Sequence, residues 1–292
     1  MTQLTDFTLQ TDVVAAELIR LRNALVKCKF NIDDSRGRYV FERFGEVLAR
    51  LNKNERGLVL TLLEDFLHCS FFDLMPLLAK ALEAIPVEVT SGIGRVILLP
   101  LAETRKNGKP KSPSAILYPA KNVLFPYMTA FSGKMVSAYE KMELLTAEAD
   151  DRSNSLIILL DDFIGSGETG VRAIRRYRKY FTKPTDRIVI AAVVAQQQGI
   201  DLIAAEQAKA YVAIVRTKGI SDSVIISDRE AALAIMDSLE KRLGVETDYL
   251  RGFGQCEALV TMMRTPNNTF PIFWHPTTVS GEHWPAPFRR FA

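Results

Sequence analysis

The sequence predicts an α/β protein in which a parallel sheet carries helices on both faces and a helical module precedes it. Three observations lead there. Before Pro86, apolar residues recur at helical spacing, whereas beyond it apolar runs of strand length alternate with helical stretches. Strands alternating with helices build parallel sheets. Finally, Ser155–Gly170, SLIILLDDFIGSGETG, passes from an apolar strand through two carboxylates into a glycine-rich loop and a helix.

Val13–Val26 places apolar residues at 14, 18, 21 and 25, one face of a helix, with Thr11 or Asp12 available as N-cap. Tyr39–Leu51, Arg56–Phe66 and Phe71–Ala84 follow the same spacing, and Pro86 ends the run. Residues 1–86 are therefore expected to form the helical module. It suits either a docking unit for a protein partner or a stabilising extension. Residues 87–292 form the α/β domain, with an irregular extension from about residue 252.

Within that domain Ile93–Leu101 is a buried strand, and Glu103–Pro113, ETRKNGKPKSP, a mobile basic loop. Ser114–Tyr118 is expected as a second strand and Met128–Thr146 as a helix. Leu156–Leu160 is the strand before the acid pair, and a helix starts near Val171. Strand Arg187–Ala195, helix Asp201–Lys209, strand Tyr211–Val215 and helix Asp228–Leu243 complete the alternation. Ala258–Met263 is strand-like, Pro266-Asn267-Asn268 a turn, and the rest an irregular wrap. On the helix after the loop, Arg172, Arg175, Arg176 and Lys179 share a face opposite Val171, Ile174, Tyr177 and Phe181. A single basic stripe of this kind is first a solvated face, and contact with nucleic acid is expected only indirectly.

Composition narrows the function. The chain has 292 residues, is 48% hydrophobic and 24% charged, and carries a net charge of +3, ordinary for a soluble protein. Cys28, Cys69 and Cys256 are widely spaced and odd in number, which points to reduced thiols in the cytoplasm. No apolar run is long enough to cross a bilayer. His68, His275 and His283 have no metal-spaced partners, there is no Cys-x2-Cys, and Ser166 lies outside a nucleophile elbow. Chemistry here must run on carboxylates, backbone amides and a borrowed divalent ion.

The loop following the acid pair is built to hold an anion. Loop N–H groups and the first N–H groups of the helix converge, and the helix dipole favours negative charge there. Carboxylates repel phosphate, so Asp161 and Asp162 should face hydroxyls, a magnesium ion, or both. A ligand joining a ribose to a phosphate satisfies both halves. Gly165-x-Gly167-x-x-Gly170 matches the dinucleotide pattern, but the next strand ends in Gln196-Gln197-Gln198, without the acid that holds the ribose; Asp186 lies at its other end. Gly165-x4-Gly170 opens like a P-loop, yet Val171 and Arg172 stand where Lys and Ser/Thr are required. The remaining alternative is a plain turn with no ligand.

Asp162-Phe163-Ile164-Gly165-Ser166-Gly167 is similar to the first motif of adenosylmethionine-dependent DNA methyltransferases, D-P-F-x-G-S-G. Those enzymes also carry a Pro-Pro segment that holds the target amine, and no Pro-Pro pair occurs here. More of the stretch resembles the type I phosphoribosyltransferases, whose motif runs from apolar residues through two acids and two further apolar residues to a small-Thr/Ser-Gly-x-Thr loop. Here these are Leu156–Leu160, Asp161-Asp162, Phe163-Ile164 and Gly165-Ser166-Gly167-Glu168-Thr169. The resemblance covers roughly residues 88–245.

That resemblance implies a type I phosphoribosyltransferase-like fold with phosphoribosyl pyrophosphate and Mg2+ as ligands. Asp161 and Asp162 would contact the ribose hydroxyls, carry the catalysis and hold the magnesium. Gly165, Ser166, Gly167, Glu168, Thr169 and Gly170 would wrap the 5′-phosphate. Arg105, Lys106 and Lys109, with Lys111, would close on the pyrophosphate from the basic loop. Two positions depart from the pattern. Glu168 brings a negative charge to a phosphate loop, which pairing with Arg172 would offset. Gly165 stands where purine-salvage members often carry an aspartate base. Towards the C-terminus, Gly252-Phe253-Gly254, Ala258-Leu259-Val260 and Thr265–Trp274 look like a stretch of phosphoribosyltransferase-like proteins encoded beside bacterial anti-phage and other conflict systems, some retron-linked. This implies a defence effector, whether a transferase or a nucleotide-sensing module that binds a partner without turnover.

Overall fold

The computed structural model describes residues 13–101, 112–141, 144, 154–180 and 187–290. Helices α1 (Ala15–Lys27), α2 (Ser35–Leu48) and α3 (Lys53–Glu64) come first. Asp34 caps α2 by accepting the Gly37 N–H, and Asn52 caps α3 by accepting from Asn54 and Glu55. Thr11 and Asp12, expected to cap α1, lie outside the described residues, and the N-cap position is Val14. There follow β1 (Leu67–His68), α4 (Phe71–Glu83), α5 (Val87–Thr90), β2 (Arg95–Pro100), α6 (Ser112–Pro119) and β3 (Met135–Ala138). The remainder is β4 (Ser155–Ile164), α7 (Glu168–Tyr180), β5 (Arg187–Gln196), α8 (Gln197–Ala205), β6 (Lys209–Arg216), α9 (Arg229–Arg242) and β7 (Val260–Thr261).

Five strands form one parallel sheet in the order β3-β2-β4-β5-β6. Their runs are apolar on consecutive residues because both faces are covered: Leu156 through Leu160 are all fully buried. Ile157, Leu159, Ile190 and Ala192 pack with Ala173, Ile174 and Tyr177 of α7 and Ile203 of α8. Helix α4 lies against β5 and β6, and α6 against β2 and β4. From β2 the chain passes to the edge strand β3, whereas from β4 it moves the opposite way to β5 and then β6. The carboxyl ends of β2 and β4 thus flank a topological switch point, where open α/β sheets bind ligands.

Two expected elements are different. Ser114–Tyr118 belongs to helix α6 instead of a strand; a short apolar run does not distinguish the two, and Pro113 is tolerated in a first helical turn. Met128–Thr146 is not one helix: residues 128–141 hold a short 3-10 turn and a strand, and Leu144 alone is helical among the described residues beyond them. Gly133, at φ +73°, turns the chain out of a 3-10 turn (Thr129–Phe131), and Met135 then bonds to Gly94 O to start β3.

Compactness groups the chain into residues 71–216, which hold the sheet, and residues 1–70 with 217–292. In the second unit α1, α2 and α3 bury their apolar stripes in a core shared with α9 and the C-terminal segment. Phe66, Phe273 and Phe288 meet with ring centroids 5.1–6.4 Å apart, and Phe44 adds edge contacts to Phe273 and Phe288. Trp284 is fully buried and donates its indole N–H to Ile272 O. The C-terminal wrap is irregular in backbone, yet it supplies the aromatic half of this core. The strand-like run at Ala258–Met263 contributes only β7, paired in parallel with β1.

Candidate functional site

β4 does not stop at the acid pair. It continues to Ile164, with Asp161 opposite Ala192 and Phe163 opposite Val194 on β5. Successive side chains of a strand point to opposite faces, so Asp161 follows Leu159 and Asp162 follows Leu160. Both carboxylates are buried, each residue at 7% exposure. The Asp162 N–H donates to Asp161 Oδ1 at 2.9 Å. Burial, reinforced by the neighbouring Asp162 charge and hydrogen bonding, holds the Asp161 carboxyl well above the usual carboxylate range; backbone N–H groups of Asp162 and Phe163 only partly offset this. Asp161 therefore keeps a proton that an exposed aspartate would release.

Beyond Ile164 the backbone bends through Gly165, Ser166 and Gly167, and Gly167 sits at φ +85°, which favours glycine. Helix α7 then begins at Glu168, three residues earlier than its apolar spacing predicts. Its first hydrogen bond runs from Val171 N–H to Gly167 O at 3.0 Å. The N–H groups of Glu168, Thr169 and Gly170 precede that bond and mark the positive end of the helix dipole. Glu168 pairs with Arg172 at 3.3 Å, and Arg172 also donates to Thr169 Oγ1 at 3.3 Å. Ser166 is half-buried.

The structure therefore brings Asp161, Asp162 and Gly165 through Gly170 together at the carboxyl end of β4. Arg105, Lys106, Lys109 and Lys111 lie outside the described residues. In the basic stripe of α7, Arg175 forms a fork with Glu206 at 2.6 and 3.1 Å and Arg172 holds Glu168, while Arg178, off that stripe, donates to Gln207 O. Among the described residues, no group of three or more His, Cys, Asp or Glu side chains could hold a metal ion. Asp161 and Asp162 could supply two carboxylates to a cation, a number suited to a magnesium ion that is completed by ligand oxygens. No helix among the described residues is long and apolar enough to cross a membrane.

One residue of this site was missed in the sequence. Gly199, in the first turn of α8, lies against the loop, and its only sequence signal is a glycine just after the Gln196-Gln197-Gln198 run that ends β5.

The sequence profile of the PRTase-CE family matches residues 48–290. The chain belongs to the PRTase-CE family. The match takes in α3, the whole sheet, the acid pair with its loop, and the C-terminal aromatic segment. Membership makes the chain phosphoribosyltransferase-like and agrees with the resemblance carried by Leu156–Thr169. Among solved structures the chain is similar to Mycobacterium tuberculosis H37Rv orotate phosphoribosyltransferase in complex with inorganic phosphate. The two are 12% identical over 67% of this chain and 95% of that one, with a TM-score of 0.27. No curated protein matches the chain.

Proposed function

We propose that this PRTase-CE protein binds a phosphoribosyl compound, phosphoribosyl pyrophosphate with magnesium or a nucleotide, at Asp161–Gly170. One observation carries the proposal: two buried carboxylates lie near the carboxyl end of β4, two residues before a loop that opens into the first-turn N–H groups of α7. The carboxylates accept hydrogen bonds from the ribose hydroxyls. The loop and helix N–H groups, with the Ser166 and Thr169 hydroxyls, donate to the phosphate.

Asp161 and Asp162 would also hold Mg2+. A pair with more negative charge than its surroundings solvate fits a cation, and bound magnesium would neutralise charge on a leaving diphosphate. In a transfer, an acceptor lone pair forms the bond to C1 of the ribose. The C1–O bond to diphosphate breaks with its electron pair leaving on that oxygen, and the acceptor proton passes to solvent. Positive charge gathers on the sugar ring, as in glycoside cleavage. The nearby carboxylates favour that charge, and burial keeps water from competing.

Sensing without turnover is the second reading. Gly165 provides no carboxylate, and the one acid of the loop, Glu168, is engaged by Arg172. Residues Gly165–Gly170 thus offer an acceptor no free base. Resemblance of the C-terminal stretch to conflict-system proteins supports a role as a cytoplasmic effector of bacterial defence. Val14, Ile19 and Val26, exposed on or beside α1, support a protein partner at the N-terminal helices.

Calorimetry with phosphoribosyl pyrophosphate, with and without Mg2+, tests the ligand. Binding by the wild type and its loss in Asp161→Ala/Asp162→Ala are expected. Release of diphosphate distinguishes transferase from sensor. Absence of binding to any phosphoribosyl compound overturns the proposal, and binding of adenosylmethionine instead would favour the methyltransferase reading. Phage challenge of cells carrying the gene with its neighbours tests the defence role.

A further inference from the structure

The geometry points to Gly199 as the positioning residue that holds the phosphate loop in its ligand-ready shape. This inference rests on the phosphoribosyl reading of the loop and adds what fixes the loop's conformation. A Cβ on Gly199 would lie 2.2 Å from Gly165 O, 3.0 Å from Ile164 Cγ2 and 3.1 Å from Gly167 N. The contact is reciprocal: a Cβ on Gly167 would lie 2.5 Å from Gly199 O and 2.9 Å from Gly199 Cα.

The atoms pressed together are almost all main chain, so neither side can yield by turning a side chain. Loop and helix meet backbone to backbone. Contrast Gly170, whose added Cβ would meet Ile203 Cδ1 and Cγ1 at 2.8 and 2.9 Å, the movable tip of one side chain.

Gly199 is itself fixed. It is the third residue of α8, which follows directly on β5, whose residues Val194 and Ala195 are in register with Phe163 and Ile164 of β4. Pairing of β4 with β5 sets where α8 begins, and α8 in turn sets how far the Gly165–Gly167 turn can settle. The loop is thereby held at a fixed place relative to Asp161 and Asp162, which lie on that same β4. A ligand that spans diol and phosphate needs that spacing, because a binding group displaced by about 1 Å loses much of its effect. An alanine at 199 would push the Gly165 carbonyl away and carry Ser166 and Gly167 with it, leaving the sheet and its acids in place.

Two measurements on purified full-length protein test this. Hydrogen–deuterium exchange is compared between wild type and Gly199→Ala without ligand. Faster exchange confined to Gly165–Val171, with β4 and β5 still protected, is expected; unchanged loop exchange overturns the inference. Titration with phosphoribosyl pyrophosphate and Mg2+ should then show affinity weakened roughly tenfold to a hundredfold in Gly199→Ala. Gln197→Ala, an exposed change in the same turn, should bind like wild type.

Gly167→Ala probes the contact from the loop side and replaces Gly199→Ala if the latter does not fold. Where both fold, their double variant should lose little more affinity than the worse single change, since both disturb one contact. Multiplicative losses would overturn the shared contact. A wild type that binds no phosphoribosyl compound overturns the functional reading instead, while the exchange result still decides whether Gly199 holds the loop.

Discussion

Replacing Asp161 with asparagine should stabilise the protein while removing its ligand. Asp161 is buried, is raised well above the usual carboxylate range, and faces the Asp162 charge next to it in the chain. A group whose folded value exceeds its unfolded one binds more protons folded than unfolded. Stability is therefore full below the ordinary aspartate range and falls as pH rises through the folded value. Asparagine is nearly isosteric, can still accept the Asp162 N–H that Oδ1 receives at 2.9 Å, and never becomes charged. Two like charges about 5 Å apart repel by about 3 kcal/mol at an effective dielectric of about 20. Asparagine removes that repulsion, so Asp161→Asn should add about 1–3 kcal/mol at pH 8. For a unit of this size that corresponds to a melting midpoint raised by about 3–10 °C. Melting followed by fluorimetry at pH 8 and pH 5 reads it, with a smaller gain expected at pH 5, the direction set by the raised Asp161 carboxyl. Calorimetry of the same variant should show phosphoribosyl pyrophosphate binding lost. An Asn variant no more stable at pH 8, or equally stabilised at both pH values, refutes the reasoning.

Glu168→Gln should strengthen binding of phosphoribosyl pyrophosphate by about twofold to fivefold at low salt, since a carboxylate leaves the mouth of the helix dipole, and the gain should fade as salt rises; calorimetry at two ionic strengths checks it. Glu240 is fully buried, and burial above all pushes its carboxyl up to about 8 from 4.5. The groups around it are Asp237, Glu257 and Arg251, whose N–H it accepts at 2.6 Å. Its contribution is full below pH 4.5 and lost as pH rises through about 8, a span of about 5 kcal/mol at about 1.36 kcal/mol per pH unit. Glu240→Gln should flatten that slope in urea denaturation between pH 5 and pH 8, and an unchanged slope contradicts the assignment. Gly252 has φ +77°, and a Cβ there would lie 1.9 Å from Asn268 O. Gly252→Ala should therefore cost about 3 kcal/mol or more, read as a lower urea midpoint, and a change under about 0.5 kcal/mol would contradict the packing.

Elements built from local chemistry were legible in the sequence. Helices α1 through α4 and α9 follow their apolar spacing to within a few residues, and β2, β5 and β6 follow their apolar runs. The end of β4 was hidden because Asp161 and Asp162 look like a loop, whereas pairing with β5 carries the strand through them to Ile164. Helix α6 was read as a strand, since a short apolar run has no period of its own. What the helical stripes of α1–α3 bury against could not be read at all. Phe273, Trp284 and Phe288 lie some two hundred residues on in the chain, and nothing local ties them to Phe44 or Phe66. The acid pair and its loop were legible as chemistry because strand, carboxylates and glycines are contiguous. Gly199 was not, because its contact with Gly165 and Gly167 exists only once β5 has placed it.

What separates this site from a plain turn between strand and helix is its cost to the protein on its own. A turn needs Gly167 for its φ of +85°, but it does not need two carboxylates buried together at the end of a strand. Apolar residues there would continue the packing of Leu159 and Leu160 without desolvating charge, and buried acids are otherwise seldom kept. Glu240 shows the contrast. It is buried and raised like Asp161, but it takes up the Arg251 N–H beside an Arg251–Asp237 ion pair, which gives it a structural use. The groups that meet Asp161 are the Asp162 side chain and the backbone N–H groups of Asp162 and Phe163, all from its own strand. Carboxylates placed this way at a switch point support the proposal that they meet a ligand from solution. The main-chain contact between Gly199 and the loop accords with that proposal, since it would hold the loop at one place relative to the acids.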